Sequence, residues 1–290
     1  MFDNIFAAIE KWMRELLTGM VESNMSTMFT DVNEKTSEIA AQVGRTPQNW
    51  NSSVFSMIQN LSESVVVPIA GIIITLVLCY ELISMLTERN NLHDVDTWMF
   101  FKYFVKAWVA IYLVSNTFTI TMAVFDVGQS VVNSASGIIN GETAIDVSSL
   151  SMQMQAAMAT MEIGELVVLA LETFLVSFCM KIMSVVITVI VYGRMIEIYL
   201  YTSLAPIPFA TMSNREWGHV GTNYFRGLFA LAFQAFLMMV CVAIYAALIS
   251  SVRMSSNMHS ALIGVAAYTV ILCFSLMKTG SLSKQIFGSH

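Results

Sequence analysis

The chain has 290 residues, of which 56% are hydrophobic and only 12% charged, with a formal net charge of -6 and a mean hydropathy of +0.68. Water-soluble domains run at roughly a quarter charged residues, so this composition excludes an ordinary soluble enzyme and makes lipid the solvent. No basic cluster offers a dedicated nucleic-acid-binding face.

Residues 2 to 20 carry a helical pattern. At about 100° per residue, Phe2, Ile5, Phe6, Ile9, Trp12, Met13, Leu16, Leu17 and Met20 fall within an arc of about 140°. Asp3, Glu10, Lys11, Arg14 and Glu15 lie opposite. Such a helix is too charged to span a bilayer, and its apolar face, marked by Phe2, Phe6, Trp12 and Leu16, suits the membrane interface, a partner helix or the rest of this protein. No basic segment or small-residue cleavage site precedes it, so a cleavable signal peptide is not expected. Residues 21 to 62 are polar, and Thr46-Pro47 marks a break between two weakly helical pieces. The expected organisation is an amphipathic and polar helical appendage over 1–62, followed by a transmembrane helical domain over 63–290.

The membrane part begins with a span over about 65–87, with Pro68 in its first turn, where the missing N–H does no harm. A second span covers 98–125, entered past Lys102 and Lys106. Between Asp126 and Glu162 the chain is a Gly-, Ser- and Met-containing loop with acids but no Lys or Arg. Residues 163–212 are apolar yet carry Glu165, Glu172, Lys181, Arg194 and Glu197; this predicts a helix over 163–192 and an irregular portion over 193–212 that ends at the Pro206 and Pro208 break. Spans over 225–250 and 258–277 complete an all-α, polytopic transmembrane helix bundle of five or six crossings. Each of Cys79, Cys179, Cys241 and Cys273 sits in an apolar run and reads as a small hydrophobe.

Lys and Arg near span ends stay cytoplasmic. Five crossings with an outer N-terminus and a cytoplasmic C-terminus place Arg89, Lys102, Lys106, Arg215, Arg226, Lys278 and Lys284 inside, and the acidic 126–162 loop outside. A sixth crossing near 195–212 would put Arg215, Arg226, Lys278 and Lys284 on the wrong side.

Catalytic chemistry finds no foothold in the sequence. There is no Gly-Lys-Ser or Gly-Lys-Thr phosphate loop, and His93, His219, His259 and His290 are isolated from metal-ligand spacings, so no cofactor or metal is expected. The informative residues are charges inside apolar sequence, each of which costs about 2.5 to 3.5 kcal/mol in hydrocarbon. Glu172 and Lys181 lie on opposite faces of one helix, about 13 Å apart along its axis, so each needs a partner on another helix, in another subunit or in lumen water; for Lys181, snorkelling toward an interface is the other option. Arg194 and Glu197, at i,i+3, are expected to neutralise one another. A secondary transporter would have to build its solute site from Glu172, Lys181 and the 206–208 break; a holin-like pore protein fits poorly with so many spans.

The long apolar stretch, the Ser203-Leu204-Ala205-Pro206-Ile207-Pro208-Phe209-Ala210 break, the Arg215-Glu216-Trp217 loop and Tyr224-Phe225-Arg226-Gly227-Leu228 leading into a Gln234-bearing span resemble the TrbL-like polytopic subunits of type IV secretion systems. The resemblance covers about residues 65–280 and is best over 163–250. It implies a channel or scaffold subunit of the cytoplasmic (inner) membrane in a conjugative DNA-transfer machine, non-enzymatic and homo-oligomeric. Its implied partners are other secretion subunits including ATPases, membrane lipid and, transiently, the translocating DNA. The acidic 126–162 loop repels phosphate, so any DNA contact there must be nonadhesive.

Overall fold

The computed structural model describes residues 2–87, 97–139, 147–252 and 258–289. The polar knot at 88–91 with Arg89, together with His93, the centre of the 126–162 loop, the turn around Arg253 and His290, lies outside the described residues. Among the described residues there are helices and no strand. The order is α1 (Phe2–Val43), α2 (Pro47–Trp50), α3 (Ser52–Leu61), a π-helical turn (Ser62–Val66), α4 (Val67–Thr87), α5 (Thr97–Ser115), α6 (Thr117–Ile139), α7 (Val147–Met158), α8 (Ile163–Ser203), α9 (Pro206–Thr211), α10 (Gly218–Ser250) and α11 (Met258–Phe287). Five helical segments are long and apolar enough to cross a membrane: Ser52–Thr87, Trp98–Ser115, Ile163–Ser203, Gly218–Ser250 and Met258–Phe287. The protein is an all-α polytopic transmembrane helix bundle.

Several boundaries differ from the sequence expectation, each for a local reason. The first helix does not stop near residue 20 but continues to Val43. Thr46 then caps α2 by accepting from the Asn49 N–H, with Pro47 in the first turn, as P-x-x after a Thr cap should do. Asn51 caps α3 by accepting from the Val54 N–H at 3.1 Å. A one-residue turn at Asn116 divides the 98–125 span; its side-chain amide donates to the Tyr112 carbonyl at 2.9 Å, sharing that oxygen with its own backbone N–H at 3.1 Å. Helix resumes at Thr117 and runs through Asp126 to Ile139, a stretch expected to be loop. The helix expected to end near Tyr192 continues to Ser203. The segment after it, α9, has six residues, far short of the roughly 20 a crossing needs; a sixth pass near 195–212 is therefore not made.

Two compact units emerge from the packing. The first comprises Met1–Val43, Ser134–Val191 and Met238–Lys278; the second comprises Gly44–Asn133, Tyr192–Leu237 and Thr279–His290. In the first unit, Val21, Met25, Met28, Phe29 and Val32 of α1 are buried, as are Met154 and Met158 of α7, Leu166 and Leu169 of α8, Met238 and Met239 of α10, and Leu262 of α11. Methionine is unbranched and flexible, which suits it to filling irregular gaps between packed helices.

The second unit holds two larger clusters. Ala70, Ile74 and Leu78 of α4 pack with Ala110 and Val114 of α5 and Phe209 and Ala210 of α9. Val124 and Phe125 of α6 pack with Met195 and Ile198 of α8 and Leu228, Leu231 and Ala232 of α10. Small residues let backbones close up, which is how helices associate where lipid removes the hydrophobic drive. A Cβ on Gly128 would meet the Ala232 carbonyl oxygen at 2.9 Å, so α6 crosses α10 only because that position is glycine.

Candidate functional site

The charges embedded in α8 are the natural place to look for function, because hydrocarbon tolerates them only when something answers them. In the first unit the Glu172 carboxylate pairs with the His259 ring, near the start of α11. Both side chains are about one-third exposed. Of the partners the sequence allows for Glu172, another helix, another subunit or lumen water, the described residues supply another helix, through a histidine that spacing alone leaves isolated. A lone His at a span terminus carries no periodic signal; only the packing of α11 on α8 joins them. Lys181, on the same helix, is exposed and has no ion pair or hydrogen bond among the described residues.

The second unit contains a denser polar cluster. Arg194 is 6% exposed, and its guanidinium Nη2 donates to the Leu231 carbonyl of α10 at 3.3 Å. The i,i+3 pair expected between Arg194 and Glu197 is not among the ion pairs of the described residues. Glu197 instead accepts from Lys284 of α11 at 3.0 Å. Sequence proximity lost to interhelical geometry: the arginine is drawn inward against α10, while the carboxylate, near the surface, meets a lysine that spacing on α8 alone could not reveal. One turn beyond Leu231, Gln234 is 7% exposed and donates to the Thr279 hydroxyl at 3.4 Å. The Ser283 hydroxyl donates to the Ala230 carbonyl at 2.5 Å, so α10 and α11 are stitched by polar contacts at successive turns. Neither Arg194 Nε nor Gln234 Oε1, both buried, has a hydrogen-bond partner among the described residues.

The proline break shapes a third feature of this unit. Pro206 starts α9 and is buried with Phe209 and Ala210, while the Thr211 hydroxyl donates to the Pro208 carbonyl at 2.8 Å. The turn after α9 is organised by buried Asn214, whose Oδ1 accepts from the N–H groups of Glu216 at 2.7 Å and Trp217 at 3.0 Å. Tyr80 donates its hydroxyl to the Glu216 carboxylate at 3.0 Å and stacks on Trp217 with ring centroids 5.7 Å apart. Lys106 pairs with Glu81, and Asn214 donates to the other Glu81 oxygen at 3.5 Å. Tyr80, Glu81, Ser84, Met85, Asn214, Arg215 and Glu216 line a polar cavity of about 90 Å³. Arg215 and Trp217 are exposed beside it. The sequence marked this loop only through the family resemblance; its anchoring to the end of α4 was invisible there.

Along α1, Phe6, Trp12 and Leu16 are exposed, as are Ile5, Ile9 and Met20; the side chain of Phe2 lies outside the described residues. On the other side of the helix, Arg14 donates to the Met161 carbonyl at 2.8 Å. Further along, α1 meets α8 through polar contacts: Asn24 donates to Thr173 at 3.5 Å, Ser177 donates to the Asn24 carbonyl at 3.2 Å, and Lys35 donates to Thr188 at 3.4 Å. Among the described residues no group of three or more His, Cys, Asp or Glu side chains is arranged to hold a metal ion.

Comparison with known proteins agrees with this layout. Residues 32–206 match a family described as TrbL/VirB6 plasmid conjugal transfer like protein, taking in α2 to α8 whole, the C-terminal part of α1 from residue 32 and the first residue of α9. No curated protein and no solved structure matches the chain.

Proposed function

The chain belongs to the TrbL/VirB6 plasmid conjugal transfer like family, and from that premise we propose that it is a channel and scaffold subunit of a type IV secretion machine for conjugative DNA transfer. Membership by itself assigns a multi-pass membrane component of conjugal transfer. The finer reading is a non-enzymatic subunit of the cytoplasmic membrane, with its N-terminus outside and its C-terminus inside, working as a homo-oligomer beside other secretion subunits. The observation that carries it is the family match falling on a bundle whose five apolar segments account for most of the chain.

Energy comes from partner ATPases, and the positive-inside rule puts the Arg215 loop on their side of the membrane. That corner suits protein contact. Tyr80 and Trp217 stack, Asn214 pre-orders the turn, and Arg215 projects beside them, a residue set typical of interface hot spots. Replacing Arg215 by Glu together with Trp217 by Ala is expected to reduce transfer while leaving the protein's abundance in the membrane unchanged.

The test of the main reading is genetic. Removing this protein abolishes conjugative transfer while relaxase nicking continues; transfer at the normal frequency rejects the proposal. The transporter alternative is not favoured, since Glu172 is engaged by His259 and Lys181 lies on a different face of α8, so the two charges a solute site would use do not converge.

A further inference from the structure

Aromatic and basic side chains gather at one end of the second unit. The uncharged run of α4 closes with Tyr80 and is followed by Glu81. At the start of α5, Trp98 and Lys102 are exposed, with the Lys102 ammonium 5.6 Å from the Trp98 ring centroid. One turn on, Lys106 pairs with Glu81. Just before α10, Trp217 stacks on Tyr80, and Arg215 is exposed beside it. Rings with a polar edge and long cationic side chains collect where hydrocarbon meets water. About one turn to either side of Tyr80 on α4, Leu76 and Ile83 are exposed, so the same corner also presents apolar surface to acyl chains.

Into this corner opens the polar cavity of about 90 Å³, whose lining includes Tyr80, Glu81, Ser84, Asn214, Arg215 and Glu216. One water takes about 10 to 15 Å³ by this measure, so the space holds several waters or one small polar group. Its charges are unevenly answered. Glu81 is shared between Lys106 and the Asn214 amide. The Glu216 carboxylate receives only the neutral Tyr80 hydroxyl, 3.0 and 3.1 Å from its two oxygens. Neither Glu216 nor Arg215 has an ion-pair partner among the described residues, although the two are adjacent in the chain. Asn214 fixes the turn that carries them by accepting from the N–H groups of Glu216 and Trp217, so little ordering is left for a ligand to impose. A ligand that answers both residues must carry an anion and a cation within one short group.

We propose that the cavity binds the headgroup of a phosphatidylethanolamine molecule of the membrane. The phosphate meets the Arg215 guanidinium, the primary ammonium meets the Glu216 carboxylate inside the cavity that Ser84 also lines, and the acyl chains run along Leu76 and Ile83. An ammonium with N–H bonds suits the site better than a trimethylated one, because carboxylate and hydroxyl oxygens are acceptors. Tyr80 covers one face of Trp217, so these two rings do not form an aromatic cage for a quaternary cation. A lipid with no ammonium leaves Glu216 facing a phosphate of like charge. The site needs only the placement of the bundle in a bilayer and is independent of the conjugation reading. Trp217 does not line the cavity, so a seated headgroup adds to the partner surface proposed above.

The test uses the full-length protein, stripped of lipid in detergent. Binding of dioleoyl phosphatidylethanolamine, phosphatidylcholine and phosphatidylglycerol is measured by native mass spectrometry, with the shift in Tm as a second readout. The ethanolamine lipid is expected to bind about tenfold or more tightly than the other two, the worth of one charge-assisted hydrogen bond. Glu216→Gln is expected to reduce its preference over the choline lipid to about twofold or less, while Arg215→Gln weakens all three lipids alike; Glu216→Ala substitutes if the Gln variant does not accumulate. Equal binding of the three lipids overturns the proposal, as does an unchanged ethanolamine preference in the Glu216 variant. Glycerophosphoethanolamine, the same headgroup without acyl chains, and inorganic phosphate separate a lipid from a soluble source. Neither is expected to displace the lipid at millimolar concentration; displacement by either assigns the cavity to a soluble phosphate and overturns the lipid assignment. Conjugative transfer is not read in any of these arms, so their failure and the failure of the conjugation reading are distinguishable.

Discussion

The two compact units handle embedded charge in opposite ways. In the first, Glu172 receives its counter-group from a different helix, and carboxylate and imidazole are each about one-third exposed. In the second, Arg194 is buried, holds one backbone carbonyl and leaves Nε without a partner among the described residues, while the carboxylate three residues away goes to Lys284. The first arrangement is a paired clasp. The second is a buried cation whose charge is incompletely answered, and such groups are kept for what they do more often than for the stability they confer.

Reversing the charge at Arg194 should break this comparison most severely. Arg194→Glu sets a buried carboxylate against the Leu231 carbonyl, and the expected cost is about 3 to 5 kcal/mol, the range for an uncompensated buried charge. It would appear as loss of monodisperse protein in detergent gel filtration. Arg194→Met is the informative partner experiment. Because a well-packed apolar side chain of similar length removes a desolvated charge, its stability should match or exceed that of the natural protein; a large destabilisation by Met would show that the guanidinium is satisfied in a way the Leu231 bond does not account for.

The clasp should behave differently, as a true pair. A double-mutant cycle on Glu172→Gln and His259→Leu is expected to return a coupling of about 1 kcal/mol by thermal unfolding in detergent, modest because solvent reaches both groups. Additive single effects would mean that the two side chains meet without stabilising one another.

How much of this could be read in advance depended on whether the signal was local. Hydropathy located the membrane segments, and the Thr46-Pro47 and 206–208 breaks fell where the backbone turns, because proline sterics act within a few residues. The need of Glu172 for a distant partner followed from helical geometry alone. What escaped was tertiary. His259 and Lys284 carry no pattern that links them to α8, and the buried role of Gln234 depends on the approach of α11 to α10. The portion after Tyr192 was expected to be irregular up to the Pro206 and Pro208 break, but helix persists to Ser203, with Arg194 and Glu197 held by α10 and α11. Asn116 was overlooked because one polar residue inside an apolar run barely changes mean hydropathy, yet its amide adds a second donor on the Tyr112 carbonyl at the turn between α5 and α6.

The Glu197 and Lys284 pair sharpens the comparison on a smaller scale. Both side chains are more than two-fifths exposed, so solvent screens them, and either single charge removal should cost about 0.2 to 1 kcal/mol. The double swap Glu197→Lys with Lys284→Glu should recover most of that in thermal unfolding. If Arg194 feels Glu197 strongly despite the absence of a direct contact, the swap will fail to recover, because a lysine at position 197 then repels the buried guanidinium at i,i+3.

Lys181 should give the smallest effect on the isolated protein and the clearest separation of folding from function. It sits at the edge of an apolar stripe of α8, near Phe178 and Val185, exposed and without a partner among the described residues. Lys181→Met keeps the length of the side chain and removes only the charge, so unfolding in detergent should shift by less than about 0.5 kcal/mol, as for other surface changes that break no contact. Transfer is the decisive readout. An ammonium on an apolar face costs the chain insertion energy in every membrane; if it answers a carboxylate or a lipid phosphate in the assembled machine, Lys181→Met lowers transfer at normal abundance and Lys181→Arg restores it. Normal transfer in Lys181→Met would identify a snorkelling side chain, leaving the buried Arg194 as the α8 charge on which function has to be sought.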